Sequence, residues 1–326
     1  MMREFRGELL TEFAGRPVNE FHFERPESLG RAFLPADVEA WAWRIAKEHR
    51  YYGSYAKTFE LFMDTVDTTR VRVLILGCWL GEADELDGNI ESDLVTGPLI
   101  EHAARFPALE ALFVGDILAE QSEVSWIRQG DPGPILAAFP GLRVFGLRGT
   151  THLTLAPLAH AALEELTFQG GGLPPEVARA IGDSALPSLT GLDLYLGELR
   201  YNGGSVPADY APILEGRAFP ALRHLALRDA DNQDEIAAAL AHSPVVAQLE
   251  SLDLSLGSLT DEGAAALLAG QPLTHLKSLD LHHHFLSDAM VGRLHEALPG
   301  VELDLSEQCE PDVWNDEPHR YIAVSE

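Results

Sequence analysis

Leu249-Glu-Ser-Leu-Asp-Leu-Ser-Leu-Gly-Ser-Leu-Thr-Asp-Glu-Gly-Ala-Ala-Ala-Leu267 holds two periods in one stretch. Its first half alternates, with Leu252 and Leu254 apolar and Asp253 and Ser255 polar, the two-residue period of a strand. Its second half opens on Thr260, followed by Asp261 and Glu262. That is an N-cap with acids in the first turn, and the Ala and Leu behind it favour helix. The stretch reads as strand, turn and helix.

The same spacing of apolar residues recurs along the chain: Val71-Leu74-Leu76, Leu109-Leu112-Val114, Leu142-Phe145-Leu147, Leu163-Leu166-Phe168, Leu189-Leu192-Leu194, Leu222-Leu225-Leu227 and Leu276-Leu279-Leu281, with a degenerate copy at Leu303-Leu305. Its central positions step by 38, 33, 21, 26, 33, 27, 27 and 24 residues, most of them near the period of about 20–29 residues that marks stacked strand–helix units. Asn232 to Glu235 reads as a capping box, and Ser287 before Asp288 as a further N-cap. A doubly wound sheet would need strands apolar on both faces, whereas these alternate. The expectation is an α/β solenoid, a horseshoe with a parallel concave sheet and outer helices.

Residues 70–308 hold about nine such repeats, and 309–326 read as a C-terminal tail. Residues 1–69 differ, and are expected to form an N-terminal helical cap. Val38 to Ile45 and Tyr55 to Val66 would be its helices, with Trp41, Phe59 and Phe62 in its core, because an end repeat otherwise exposes its stacking face. Hydrophobic residues make up 46% of the 326, yet no apolar run nears the roughly 18–20 residues of a membrane span. No apolar signal segment follows Met1, which implies a cytoplasmic protein. The two cysteines, Cys78 and Cys309, form no CxxC pair and read as plain thiols. Acidic residues outnumber basic ones 51 to 23, for a net charge of −28. Such a field repels nucleic acid and attracts cationic partners.

In the stretch Leu249 to Leu267 the repeats resemble leucine-rich-repeat proteins of the ribonuclease-inhibitor-like class. Five further segments are similar to those of an uncharacterised bacterial leucine-rich-repeat family, often encoded beside radical-SAM enzymes: Thr11 to Gly15, Val66 to Val71, Gly115 to Ile127, Gly270 to Leu276 and Leu281 to His284. That likeness covers nearly the whole chain and implies partners without implying an activity. The deletion near Gly300-Val301 and the scarcity of cysteine depart from ribonuclease inhibitor, so ribonuclease binding does not carry over.

Between the strand leucines, alternation points side chains to solvent on the concave face. The central column then runs Ile75, Phe113, Gly146, Thr167, Asp193, Ala226, Asp253, Asp280 and Asp304. Its C-terminal half is an acidic ladder that either docks a cationic partner or serves only local hydrogen bonds. The next column includes Arg148, Tyr195, Arg228 and His282. The longest steps insert residues after strands, at Cys78 to Asp93, Asp116 to Asp131 and Gly197 to Asp209. They carry Trp79, Trp126 and Tyr201, with Glu82, Asp84, Glu85, Asp87 and Glu91 among the acids. Exposed loop aromatics are interface anchors, while a tryptophan folded down onto its own repeat is the structural alternative.

No nucleophile elbow, phosphate loop, HExxH helix or kinase set is present, and Gly170-Gly-Gly172 reads as a turn. The resulting expectation is a non-catalytic scaffold without a cofactor. It would bind a protein or peptide with a basic patch through Asp193, Asp253, Asp280, Asp304, Arg148, Arg228, Tyr195, His282, Trp79 and Trp126, with no membrane partner. The alternative is a metal-dependent enzyme or enzyme subunit. It would use the His282, His284 and Asp280 region, where alternation would put His282 and His284 on one side.

Overall fold

The computed structural model describes residues 7–21, 35–47, 53–80, 92–314 and 317–325; the acids Glu82, Asp84, Glu85, Asp87 and Glu91 lie outside them. The chain is α/β and divides into two compact units, 2–154 and 155–326. This boundary falls inside the stretch read above as one repeat array.

In the 2–154 unit, β1 (Glu12–Phe13) and β2 (Arg16–Phe21) form a short antiparallel pair. The strands β3 (Ala42–Ile45), β4 (Val73–Gly77), β5 (Ala111–Asp116) and β6 (Val144–Arg148) continue from β2 in parallel, each beside the last. Three helices alternate with them: α1 (Tyr55–Thr65), α2 (Asp93–Glu101) and α3 (Gly133–Ala138). The 155–326 unit stacks β7 (Glu165–Gln169), β8 (Gly191–Gly197), β9 (His224–Ala230), β10 (Ser251–Asp253), β11 (Ser278–Asp280) and β12 (Glu302–Asp304), again parallel and in sequence order. Its helices are α4 (Pro175–Gly182), α5 (Ala211–Leu214), α6 (Gln233–Leu240), α7 (Asp261–Ala269) and α8 (Asp288–Ala297), and the antiparallel pair β13 (Asp312–Trp314) and β14 (Glu317–His319) follows.

The register within each unit follows the leucine spacing. Leu74 pairs with Leu112, and Leu112 with Phe145. Leu166 pairs with Leu192, and the row continues through Leu225, Leu252 and Leu279 to Leu303. One apolar side chain per strand thus stacks on the equivalent one in its neighbour. A register slip of one residue would turn that row to the other face.

Hydrogen bonds pass from each repeat to the next. The Asp234 carboxylate of α6 accepts from Thr260 N (2.8 Å), Thr260 Oγ1 (2.6 Å) and Gly263 N (3.1 Å) at the start of α7. Asp261 does the same for Ser287 N and Oγ, at 2.8 and 2.7 Å, and Asp288 accepts from Gln308 Nε2 at 3.2 Å. Four residues past each central leucine of β9 to β12, the backbone enters the left-handed region, at Asp229, Leu256, His283 and Glu307. Gly197 is left-handed too, and a Cβ there would lie 1.9 Å from Gly171 O. The Gly170-Gly-Gly172 turn therefore needs glycine at 197, where it packs on the strand end, and at 172, where a Cβ would lie 2.3 Å from Tyr201 O.

Four sequence expectations are corrected. Ala42–Ile45 is a strand, with Trp43 in register with Leu74, and Arg16–Phe21 is another. The first seventy residues thus extend the sheet, and α1 is the helix formed where one was expected. The Trp43 ring is buried edge-on against Phe62 of α1, with its indole N–H donating to Val38 O at 2.9 Å. The strands also do not simply alternate: every residue of β4, β5 and β8 is buried. In the first unit Leu10 and Phe13 fold over Ile75 and Phe113 in a second apolar cluster, with the Phe13 and Phe113 rings edge-to-face at 5.7 Å. The Asn232 capping box does not form; the Asn232 side chain is turned so that Nδ2 donates to Ser205 O, at 3.1 Å. The caps at Thr260 and Ser287 form as expected.

Replacing Leu252 or Leu279 by Ala should lower the unfolding free energy by about 2–5 kcal/mol each, as buried leucines do when a cavity is left. Chemical denaturation of the two variants measures this, and unchanged midpoints would contradict the stacked register.

Candidate functional site

Most of the polar column turns inward. Asp193, Asp253, Arg148, Arg228, Tyr195 and His282 are all buried. The Arg228 guanidinium lies between two carboxylates, with Nε 2.9 Å from Asp193 Oδ1, Nη2 2.6 Å from Asp193 Oδ2 and Nη1 3.1 Å from Asp253 Oδ2. Its carbon sits 4.6 Å from the centre of the Tyr195 ring. Burial opposes the charge, but Asp193, Tyr195 and Asp253 together raise the Arg228 pKa well above its ordinary value. Burial also raises that of Asp253, with Arg228 only partly countering it.

The expected solvent-facing ladder is thereby corrected at Asp193 and Asp253. Their charges are consumed inside the protein, and a lysine in place of Asp253 would set a second cation against Arg228. Asp280 is half-buried and Asp304 exposed. Each accepts hydrogen bonds from two residues onward, Asp280 from His282 N (3.0 Å) and Asp304 from Ser306 N (3.0 Å) and Oγ (2.6 Å). Asp253 does likewise with Ser255.

A second buried ion cluster closes the first unit. Asp116 accepts from Arg44 Nε at 2.8 Å, Arg148 Nη1 at 3.1 Å and Leu10 N at 3.1 Å. Arg148 was expected at the surface as a partner contact. It is buried there because Asp116 and the N-terminal segment close over it.

The three adjacent histidines point three ways. His282 Nδ1 lies 2.7 Å from Asp280 Oδ1. His283 Nε2 meets Tyr321 O at 3.2 Å. His284 sits inside, with Nε2 3.0 Å from Leu305 O and Nδ1 accepting from Leu286 N, and burial lowers its pKa. The left-handed backbone at His283 (φ 54°) breaks the alternation that would have put His282 and His284 on one side. Asp280, His282 and Asp304 instead place one potential ligand atom each within 4.8 Å of one another.

The tryptophans of the inserted loops also separate. Trp79 is 0% exposed, a correction, since an indole has roughly 150–250 Å² of mostly apolar surface to bury. Trp126 is 66% exposed, and its indole N–H donates to Glu123 Oε2 at 3.0 Å. It borders an open cleft of about 520 Å³ lined by Leu80, Glu120, Ser122, Glu123, Arg128 and His152, among others. Tyr201, in the third insertion, lies under Arg200 at 4.6 Å, next to Leu199, which is 75% exposed.

Within the cleft, Arg128 Nη2 is 2.7 Å from His152 Nδ1, while Arg128 Nε is buried without a hydrogen-bond partner among the described residues. A parallel bridge between Arg128 and Thr151 brings the two residues together, and His152 holds a left-handed φ of 61°. Strained non-glycine backbone is concentrated at functional sites. Glu120, Glu123, Arg128 and His152 were missed from the sequence. The available signal was Arg128 two residues beyond Trp126, on the same inserted loop.

Asp229 also went unnoticed. Its carboxyl is buried at a left-handed position, with Oδ1 accepting from Val324 N at 2.9 Å and Oδ2 without a partner among the described residues. Burial pushes its pKa well above the ordinary carboxylate value. A group raised in the folded state contributes stability that is present below the unfolded value and lost as pH rises through the folded one. Asp229→Asn, which keeps the acceptor for Val324, should therefore be more stable than the native chain at neutral pH. The gap should widen as pH climbs above the ordinary carboxylate range; denaturant midpoints from about pH 4 to pH 8 read it, and a gap constant with pH would contradict the assignment.

No protein-family model matches the chain, and no curated protein matches it. Among solved structures it is similar to a protein of Bacteroides fragilis whose crystal structure came from the Northeast Structural Genomics Consortium. The two are 30% identical, the match covers 84% of this chain and 76% of that one, and the TM-score is 0.70.

Proposed function

We propose that this chain, which belongs to one family with that Bacteroides fragilis protein, is a leucine-rich-repeat solenoid working as a non-catalytic docking module. Its partner would be a protein segment that carries a cationic side chain. The in-register row of leucines and the residue-for-residue hand-off between α6, α7 and α8 support the repeat reading. No described helix is long and apolar enough to cross a membrane. An enzyme encoded beside the gene, of the radical-SAM kind that accompanies the similar bacterial family, is one source of such a partner.

The observation that carries the docking role is the exposed Trp126 at the mouth of its cleft. An indole left in solvent with its N–H already engaged presents its face, which attracts a lysine or arginine head. Glu120 and Glu123 beside it add carboxylates, and the net charge of −28 steers a cation inward. This reading moves the binding surface from the acidic column to the inserted loop, since Asp193 and Asp253 are buried and already paired with Arg228.

A panel of short peptides tests it, lysine- or arginine-containing against glutamate-containing, titrated while tryptophan fluorescence is followed. The cationic peptides should bind and weaken with salt, because exposed charges are screened beyond about 8 Å at physiological ionic strength. Trp126→Ala should lose about 2 kcal/mol or more of binding, as an interface anchor does. Equal binding of acidic peptides, or cationic binding untouched by Trp126→Ala, would remove the cleft as the site.

A further inference from the structure

The polar column crowds carboxylates at two places, across β9 between Asp193 and Asp253 and directly between β11 and β12. In the earlier strands Asp193 and Asp253 share one cation, Arg228. Further along, Asp280 of β11 stands opposite Asp304 of β12 in the parallel register. Two carboxylates facing each other on neighbouring strands repel. At this pair the residue in the repeat position of Arg228, three past the central leucine, is His282. An imidazole is shorter than a guanidinium and carries a full charge only when protonated.

We propose that Asp280, His282 and Asp304 bind a divalent transition-metal ion that takes, between the last two strands, the place Arg228 takes earlier. The ligand chemistry suits Zn²⁺, which accepts carboxylate oxygen and imidazole nitrogen at about 2.0–2.2 Å. Ligands round such an ion lie roughly 3–4 Å apart. Here His282 Nδ1 and Asp280 Oδ1 are 2.7 Å apart and the three ligand atoms fall within 4.8 Å. The exposed Asp304 closes the remaining distance by turning its side chain. Two carboxylates and a doubly charged ion sum to zero, which removes the repulsion between Asp280 and Asp304.

The set is O, N, O on one side of the ion, with the Asp304 side open to water. His284 takes no part, because both its ring nitrogens are engaged on Leu305 O and Leu286 N. The ligands come from both strands, Asp280 and His282 from β11 and its end and Asp304 from β12, so the ion ties the two together. The tie falls at the end of the stack: β12 is the last parallel strand among the described residues, and both Glu302 and Asp304 in it are exposed.

Calorimetric titration of the full chain with Zn²⁺ alone tests this, beside Asp304→Asn and His282→Gln. The native chain should bind at a site whose affinity falls at least about tenfold in each variant, since even outer partners of a metal ligand are worth 10–100-fold. Zn²⁺ should raise the melting temperature of the native chain and not of the variants. His282→Arg separates a metal role from a packing role: it should abolish the site yet melt at or above the zinc-free native protein, by restoring the guanidinium clamp. Co²⁺ in place of Zn²⁺ should give visible d–d absorption that Asp304→Asn removes. Absence of Zn²⁺ binding, or binding unchanged across the variants, would overturn the site. Neither outcome bears on peptide binding at Trp126.

Discussion

The structure depends on one constraint: each strand must lay its central leucine against the equivalent residue of the strand before it. A strand and its helix cannot hide an apolar face alone, so the leucine row from Leu166 to Leu303 is held by neighbours and not by local propensity. Fixing that row fixes the rest of the strand. Position 253 must face position 226 on one side and 280 on the other, and any charge placed there is forced against its counterpart. The Arg228 clamp, the Asp280 and Asp304 pair and the turn made by each strand aspartate with the residue two onward are local solutions to that one geometric demand.

Much of this was legible. The spacing of Leu74, Leu112 and Phe145, and of Leu166 to Leu303, predicted the pairing within each unit, because register is a matter of counting. The caps at Thr260 and Ser287 were legible for the same local reason. What escaped was whatever depends on covering. Alternation says that Asp253 and Leu252 point opposite ways, but not whether the second face meets water. Nothing local in Leu10 or Phe13 says that they fold over Phe113, and nothing in Arg148 says that Asp116 waits for it 32 residues back. Trp79 and Trp126 look alike in sequence, each in an acidic insertion after a strand. They separate only through tertiary packing, one with its indole inside and the other with it at a cleft mouth.

Burying charge in this way has a cost that shapes where function can sit. A desolvated carboxylate and guanidinium gain little over well-packed apolar groups, and losing one partner strands the other. The columns holding Asp193 with Arg228, and Asp116 with Arg44 and Arg148, are therefore fixed parts of the frame. Variation that leaves the frame intact is confined to the segments after the strands, where length already differs from repeat to repeat. Trp126, Arg128 and His152 lie on such a segment or at the strand end facing it.

The bonds passed from Asp234 to Thr260, from Asp261 to Ser287 and from Asp288 to Gln308 run in one direction along the chain. The starts of α7 and α8 are each held by the helix before, and α8 in turn holds Gln308. Under a pulling force the outermost unit of this stretch is always the one with a single such link left, so the links would break singly and in order, the Gln308 link first when the load comes from the C-terminal side. The stretch would then yield to load stepwise, about one repeat of chain at a time, and not in one cooperative rupture.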